Sequence, residues 1–296
     1  MKRIIIFVLA LSSTCYCLPQ SKLWENIKIR KSFESGTDDD NNPANLSFAF
    51  PEDKSNYYII NAGVGYEFGH SSTGEKRKFD NSFTVYFVYN RNNQIDKEQS
   101  NIKFGTTANQ IFYLNEDPVT AIFADNSFGY LRDFQNVSNS LLVTSYWSPL
   151  LKKNDFLKLG GYAVSDSPFA YYILPRLGLE FQHRFSAKND DNNGSDLRGF
   201  FGLELSFLFK KNTSGSESKY IRTKCIELKT AYDGRQSIIK NVDNQTWYSS
   251  MFKTELQVYP LKEDNFSIGL SYNKGTSPID GLEKQGFWLL AFRYKK

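Results

Sequence analysis

The sequence predicts an all-β chain folded as a single antiparallel transmembrane β-barrel of about twelve strands. Three observations predict it. Long segments alternate apolar and polar residues with a period of two. Aromatic residues make up 16% of the chain, with 25 Phe and 18 Tyr, although mean hydropathy is −0.48. After the leader, no apolar run approaches the roughly 18 residues that a membrane-crossing helix needs. A chain both aromatic-rich and polar fits a wall with a greasy outside, a wet inside and aromatic girdles at its two interfaces. Net charge is +4, from 36 basic and 32 acidic residues. That small, scattered excess gives no footprint for nucleic acid.

The chain divides into three parts. Residues 1–17 read as a cleaved secretory signal peptide: Lys2 and Arg3 are the basic start, Ile4 to Leu11 the apolar run, and Ser12, Ser13, Thr14, Cys15 and Cys17 the small residues before cleavage. Cleavage is expected near Cys17, with Ser13 or Cys15 as alternatives. Lipidation at Cys15 or Cys17 is a looser reading. Residues 18–55 are expected to form an N-terminal periplasmic or plug-like segment. Asp38 to Asn42 is a solvated acid and amide run, and Leu46 to Phe50 reads as a short strand or a plug. Residues 56–296 are the barrel. Beyond the leader Cys225 is the single cysteine, so no intramolecular disulfide orders this exported chain, and strand closure must do so.

Within the barrel, Ile60, Ala62, Val64, Tyr66 and Phe68 alternate with Asn61, Gly63, Gly65, Glu67 and Gly69. Leu177, Leu179, Phe181 and Phe185 alternate with Arg176, Gly178, Glu180, Gln182 and Arg184. Phe252, Leu256 and Val258 alternate with Lys253, Glu255 and Gln257, and Phe266, Ile268, Leu270 and Tyr272 with Ser267, Gly269, Ser271 and Asn273. Such a period gives each strand one apolar and one polar face. Twelve segments follow: 57–69, 82–92, 101–114, 117–126, 139–148, 156–165, 171–186, 197–211, 219–233, 246–260, 265–274 and 284–294. Segments 117–126 and 219–233 alternate poorly. In the second, Glu227 and Lys229 share the parity of Cys225. Asn, Asp, Gly and Ser fill the connections, as turn chemistry demands. A secreted soluble β-sandwich with a binding role also alternates and stays open. Strands this long exceed the usual sandwich strand of about 5–6 residues, and aromatics gather near strand ends.

The C-terminal residues Phe287 to Tyr294 read FWLLAFRY, with Trp288, Leu290, Phe292 and Tyr294 on one parity and Lys295 and Lys296 following. This resembles the C-terminal signal strand of Gram-negative outer-membrane barrels. The resemblance is one of pattern and runs from Tyr57 to Lys296. It implies a bacterial outer-membrane location, with membrane lipid and the barrel-assembly machinery as partners. Arg176, Glu180, Arg184, Lys253 and Glu255 fall on the polar parity and are expected to line the lumen. Glu180, sharing a face with Arg176 and Arg184, reads as a lumen ion pair or part of a solute-selecting constriction. The leading expectation is a non-enzymatic channel, passive transporter or structural surface protein, with a small solute as possible ligand and no cofactor.

Residues 70–74 read His-Ser-Ser-Thr-Gly. They resemble the H-x-S-x-G signature of outer membrane phospholipase A, a twelve-stranded barrel that hydrolyses phospholipids. The resemblance implies His70 as base, Ser72 as nucleophile and Asn81 as the group that orients the histidine, because a serine hydroxyl needs a positioned base before it attacks. His70 and Ser72 continue the parity of Tyr66 and Phe68, and Asn81 that of Phe83, so all three are expected to face lipid. The alternative is an ordinary polar surface loop. His183 reads as a half-wet histidine at the membrane interface and Cys225 as an unreactive wall residue. The chain offers no metal-ligand spacing.

Overall fold

The computed structural model describes residues 26–30, 44–51, 57–70, 79–92, 99–115, 120–134, 137–152, 158–159, 168–186, 193–213, 221–241, 246–261, 266–277 and 282–294. The leader, Asp38 to Asn42, Ser72 and most of segment 156–165 lie outside the described residues.

Fourteen strands appear: β1 (Ile27–Arg30), β2 (Ala44–Pro51), β3 (Tyr57–His70), β4 (Phe79–Asn92), β5 (Gln99–Asn115), β6 (Thr120–Asp133), β7 (Ser138–Lys152), β8 (Lys158–Leu159), β9 (Phe169–Ser186), β10 (Gly194–Thr213), β11 (Ile221–Lys240), β12 (Tyr248–Val258), β13 (Phe266–Ser277) and β14 (Leu282–Tyr294). Twelve of them close a ring of antiparallel neighbours, β2 to β7 and then β9 to β14. β14 returns to β2 in the register Trp288↔Phe50, Leu290↔Phe48, Phe292↔Leu46. Among the described residues every wall strand thus has a neighbour on both sides, and closure is the condition for a sheet in hydrocarbon. β1 lies along the part of β3 that β2 does not reach: Lys28 opposes Gly65 and Arg30 opposes Gly63, while Asn45 opposes Asn61. β8 is a two-residue pairing between β7 and β9.

The wall therefore takes in residues before 56: β1 and β2 both pair with β3, and β2 also pairs with β14. Leu46, Phe48 and Phe50 point outward, and Ser47 and Ala49 inward, so this short alternating run is a barrel strand rather than a plug. Of the sixth expected segment only Lys158 and Leu159 are described, as β8 between β7 and β9, while β9 also pairs directly with β7 through Leu142↔Gln182 and Thr144↔Glu180. β11 also alternates better than its sequence suggests. Glu227 and Lys229 are buried on the inner face, and Ile226 and Leu228 are exposed on the outer one.

Every wall strand carries exposed apolar side chains. They include Phe48 on β2, Val64 on β3, Phe87 on β4, Phe104 on β5, Phe128 on β6, Trp147 on β7, Leu179 on β9, Phe207 on β10, Leu228 on β11, Leu256 on β12, Leu270 on β13 and Trp288 on β14. The buried set is the reverse of a soluble core and is rich in Ser, Thr, Asn, Gln, Asp, Glu, Lys and Arg. Stacked soluble sheets would enclose the Phe and Leu residues, and here they face out. Some inward aromatics fill space above glycine: a Cβ added at Gly129 would stand 3.0 Å from the Tyr86 hydroxyl.

Candidate functional site

The inner face of β9 to β14 gathers most of the buried charged side chains, with Lys103 and Asp125 on β5 and β6. Strand pairing explains how. Four residues along an extended strand span roughly 13 Å, whereas neighbouring strands lie roughly 5 Å apart. Arg176, Glu180 and Arg184 therefore share a face without reaching one another, and each looks sideways. The ion pairs described for Glu180 come from neighbouring strands.

Glu180 is met from β11 and β10. Arg235 Nε donates to both of its carboxylate oxygens at 3.1 Å, and Arg198 Nη1 lies 3.8 Å from Oε2. The Tyr146 hydroxyl donates to Oε1 at 2.7 Å from β7. Arg198 is held in turn by Asp196 at 2.5 Å and by the Gln182 carbonyl oxygen at 2.9 Å. Glu180 is 2% exposed, Arg198 3% and Arg235 8%. Phe200 completes the group. The Arg235 guanidinium stands 4.9 Å from its ring centre and that of Arg176 5.7 Å, and Tyr146 meets its ring edge-on at 4.9 Å. Arg176 pairs with Asp233 at 3.3 Å. Arg184 is half-buried.

A second group lies on β11 to β14. Glu255 is clasped by Lys253 Nζ at 2.6 Å and by the Arg293 guanidinium. Glu227 accepts from Ser206 at 2.6 Å and from the Tyr259 hydroxyl at 2.7 Å, with Lys229 Nζ at 3.3 Å. Glu180, Glu227 and Glu255 thus each meet at least one cation, so this side of the interior carries both signs in paired form. Arg198, Arg235, Arg293, Glu227 and Phe200 escaped the sequence reading. Local alternation marks them as inward candidates, but only the register shows which strand brings which partner.

The His70 motif is described in part. His70 and Asn81 are direct partners in the β3–β4 register. Asn81 is exposed, on the same face as Phe83 and Val85. The His70 side chain and the whole of Ser72 lie outside the described residues. His183 faces outward at the opposite rim. Its Nδ1 is 2.8 Å from Ser195 Oγ, and its ring stacks on Phe185. Among the described residues no group of three His, Cys, Asp or Glu side chains forms a metal site.

A closed twelve-strand ring with apolar side chains outside and paired charges inside leaves one class of fold. The chain is a closed antiparallel transmembrane β-barrel in fold. It is similar to the beta domain of the Bordetella autotransporter Brka, with 8% identity, 91% of this chain and 98% of that one covered, and a TM-score of 0.46. The transport unit of the autotransporter AIDA-I from Escherichia coli is 11% identical, with 90% and 89% covered and a TM-score of 0.44. LpxR from Salmonella typhimurium is 8% identical, with 85% and 99% covered and a TM-score of 0.43. No family model and no curated protein matches the chain.

Proposed function

We propose that this barrel is a passive pore of the bacterial outer membrane for small polar solutes, narrowed by the Glu180 group. The observation that carries this reading is the meeting of Glu180, Arg198 and Arg235 inside the wall, drawn from three adjacent strands. Buried ion pairs are weak sources of stability, and apolar side chains of similar volume stabilise as well or better. Charges kept inside a wall that could have been filled with Leu therefore favour a polar passage. Paired charges of both signs discriminate by size and polarity rather than by ion sign. The leader-like residues 1–17 and the aromatic C-terminal strand support export and insertion by the barrel-assembly machinery. The test is conductance of the purified full chain in planar bilayers. Small ohmic steps with weak ion selectivity are expected, enlarged by Glu180→Ala and by Arg235→Ala. If neither the native chain nor these variants conduct, the pore reading fails.

A second reading, a phospholipid hydrolase, rests on the His70↔Asn81 register, which sets an amide opposite a histidine where the motif resemblance requires one. Hydrolysis of phosphatidylethanolamine vesicles that disappears in Ser72→Ala would support it. Hydrolysis that survives this substitution would remove the site.

A further inference from the structure

Across β5 to β7 the apolar surface of the outer wall is broken by a connected polar group. On β6, Ala124 and Asn126 take the outward positions between Ile122 and Phe128. Asn126 opposes Ala108 on β5 and Ser145 on β7, and Gln110 opposes Ala124. The side chains form a chain of donors: Ser145 Oγ donates to Asn126 Oδ1 at 2.7 Å, and Asn126 Nδ2 donates to Gln110 Oε1 at 3.3 Å. The chain ends at the Gln110 amide nitrogen, for which no acceptor is present among the described residues.

On β4 the exposed Asn81 opposes Gln110 on the same outer face, so the polar group runs from Ser145 to Asn81 across four strands. Along β5 it is bracketed by exposed Phe104 on one side and Phe112 and Leu114 on the other, along β6 by Ile122 and Phe128, and along β7 by Val143 and Trp147. Acyl chains offer no acceptor to the Gln110 amide. The floor is also lower than its surroundings. Ala108 and Ala124 stand where neighbouring positions carry Phe, Ile or Trp, and Ala124 is only 5% exposed although it points outward. The Thr230 and Thr254 hydroxyls on β11 and β12 differ, because they bond to each other and to the Lys229 carbonyl.

We infer that this face, centred on Gln110 and Asn126, is where a second copy of the chain docks within the membrane. A carboxamide is self-complementary, since its nitrogen donates and its oxygen retains a second lone pair. A two-fold axis beside Gln110 lets each amide donate to the other, and the self-complementary patch then meets itself. Between membrane segments, small residues that permit close approach and polar groups that bond across the contact are what drive association. The depressed alanines and the terminal amide supply both.

The experiment uses the full chain in phosphatidylcholine vesicles. Ala124→Cys, in a Cys225→Ser background, should cross-link to itself on mild oxidation. Val258→Cys, on another part of the outer wall, should not. Gln110→Leu replaces a polar group by an apolar one on the lipid-facing surface, so folding is retained and the heat-dependent shift in gel mobility serves as its control. Gln110→Leu should weaken self-association, read as energy transfer between differently labelled copies, by about tenfold. A native chain that stays monomeric as protein density rises overturns the inference. So does association unchanged by Gln110→Leu and Asn126→Leu, or equal cross-linking at positions 124 and 258.

Discussion

Arg235 reaches past β10 to Glu180, placing its Nε 3.1 Å from both carboxylate oxygens. The pair spans three strands and ties this part of the wall together through the lumen. Removing one member leaves the other charged and nearly out of water. Glu180→Leu and Arg235→Leu should each destabilise the barrel by about 3 kcal/mol, and the double substitution by clearly less than their sum. Urea unfolding followed by tryptophan fluorescence measures all three. Strict additivity would mean that the two groups do not depend on each other.

The direction of the side chains makes a depth-dependent prediction. Val85 sits on the outer face of β4 between exposed Phe83 and Phe87, whereas exposed Phe134 lies just past the end of β6. Val85→Arg should cost about 2–4 kcal/mol, and Phe134→Arg about 0–1 kcal/mol. Equal costs at the two positions would mean that the band does not sit in hydrocarbon.

Closure through β2 is open to covalent trapping. Ser47 and Ala291 are partners in the β14–β2 register and both face inward. Ser47→Cys with Ala291→Cys, in a Cys225→Ser background, should form a disulfide on oxidation and raise the temperature at which the folded band is lost from gels. Failure of this pair to cross-link, with normal folding, would place residues 44–51 outside the wall.

Gly194 and Gly275 both hold a backbone shape that side chains resist. Gly275, at an irregularity in the β13–β14 pairing, has φ +139°, and an added Cβ would stand 2.8 Å from the Met251 Cα. Gly275→Ala should cost about 1–3 kcal/mol in the unfolding measurement. A neutral result would show that this corner relaxes freely.

How much the sequence discloses depends on whether the signal is local. Alternation at Val64, Tyr66 and Phe68, at Leu177 and Leu179, and at Ile268 and Leu270 is a property of neighbouring residues, so the strands and their outward faces are legible. β2 is nearly hidden because Leu46, Phe48 and Phe50 are too few to stand out beside segments twice as long. Poor alternation near residues 117–126 has a physical source: Ala124 and Asn126 occupy outward positions that elsewhere hold large apolar groups. The lumen pairs are illegible for a different reason. Glu180 and Arg235 are 55 residues apart, and only the registers of two successive strand pairs bring them together. The motif at residues 70–74 is legible as a string of residue types. The register sets His70 opposite Asn81, while Ser72 lies outside the described residues.

The first stave of the barrel is made of two pieces. Arg30 and Asn45 sit beside Gly63 and Asn61, two close neighbours on β3, so β1 and β2 fill one edge of that strand in succession. Each piece holds its own register on β3, so a tag or epitope inserted between them should leave the pairing of both unchanged.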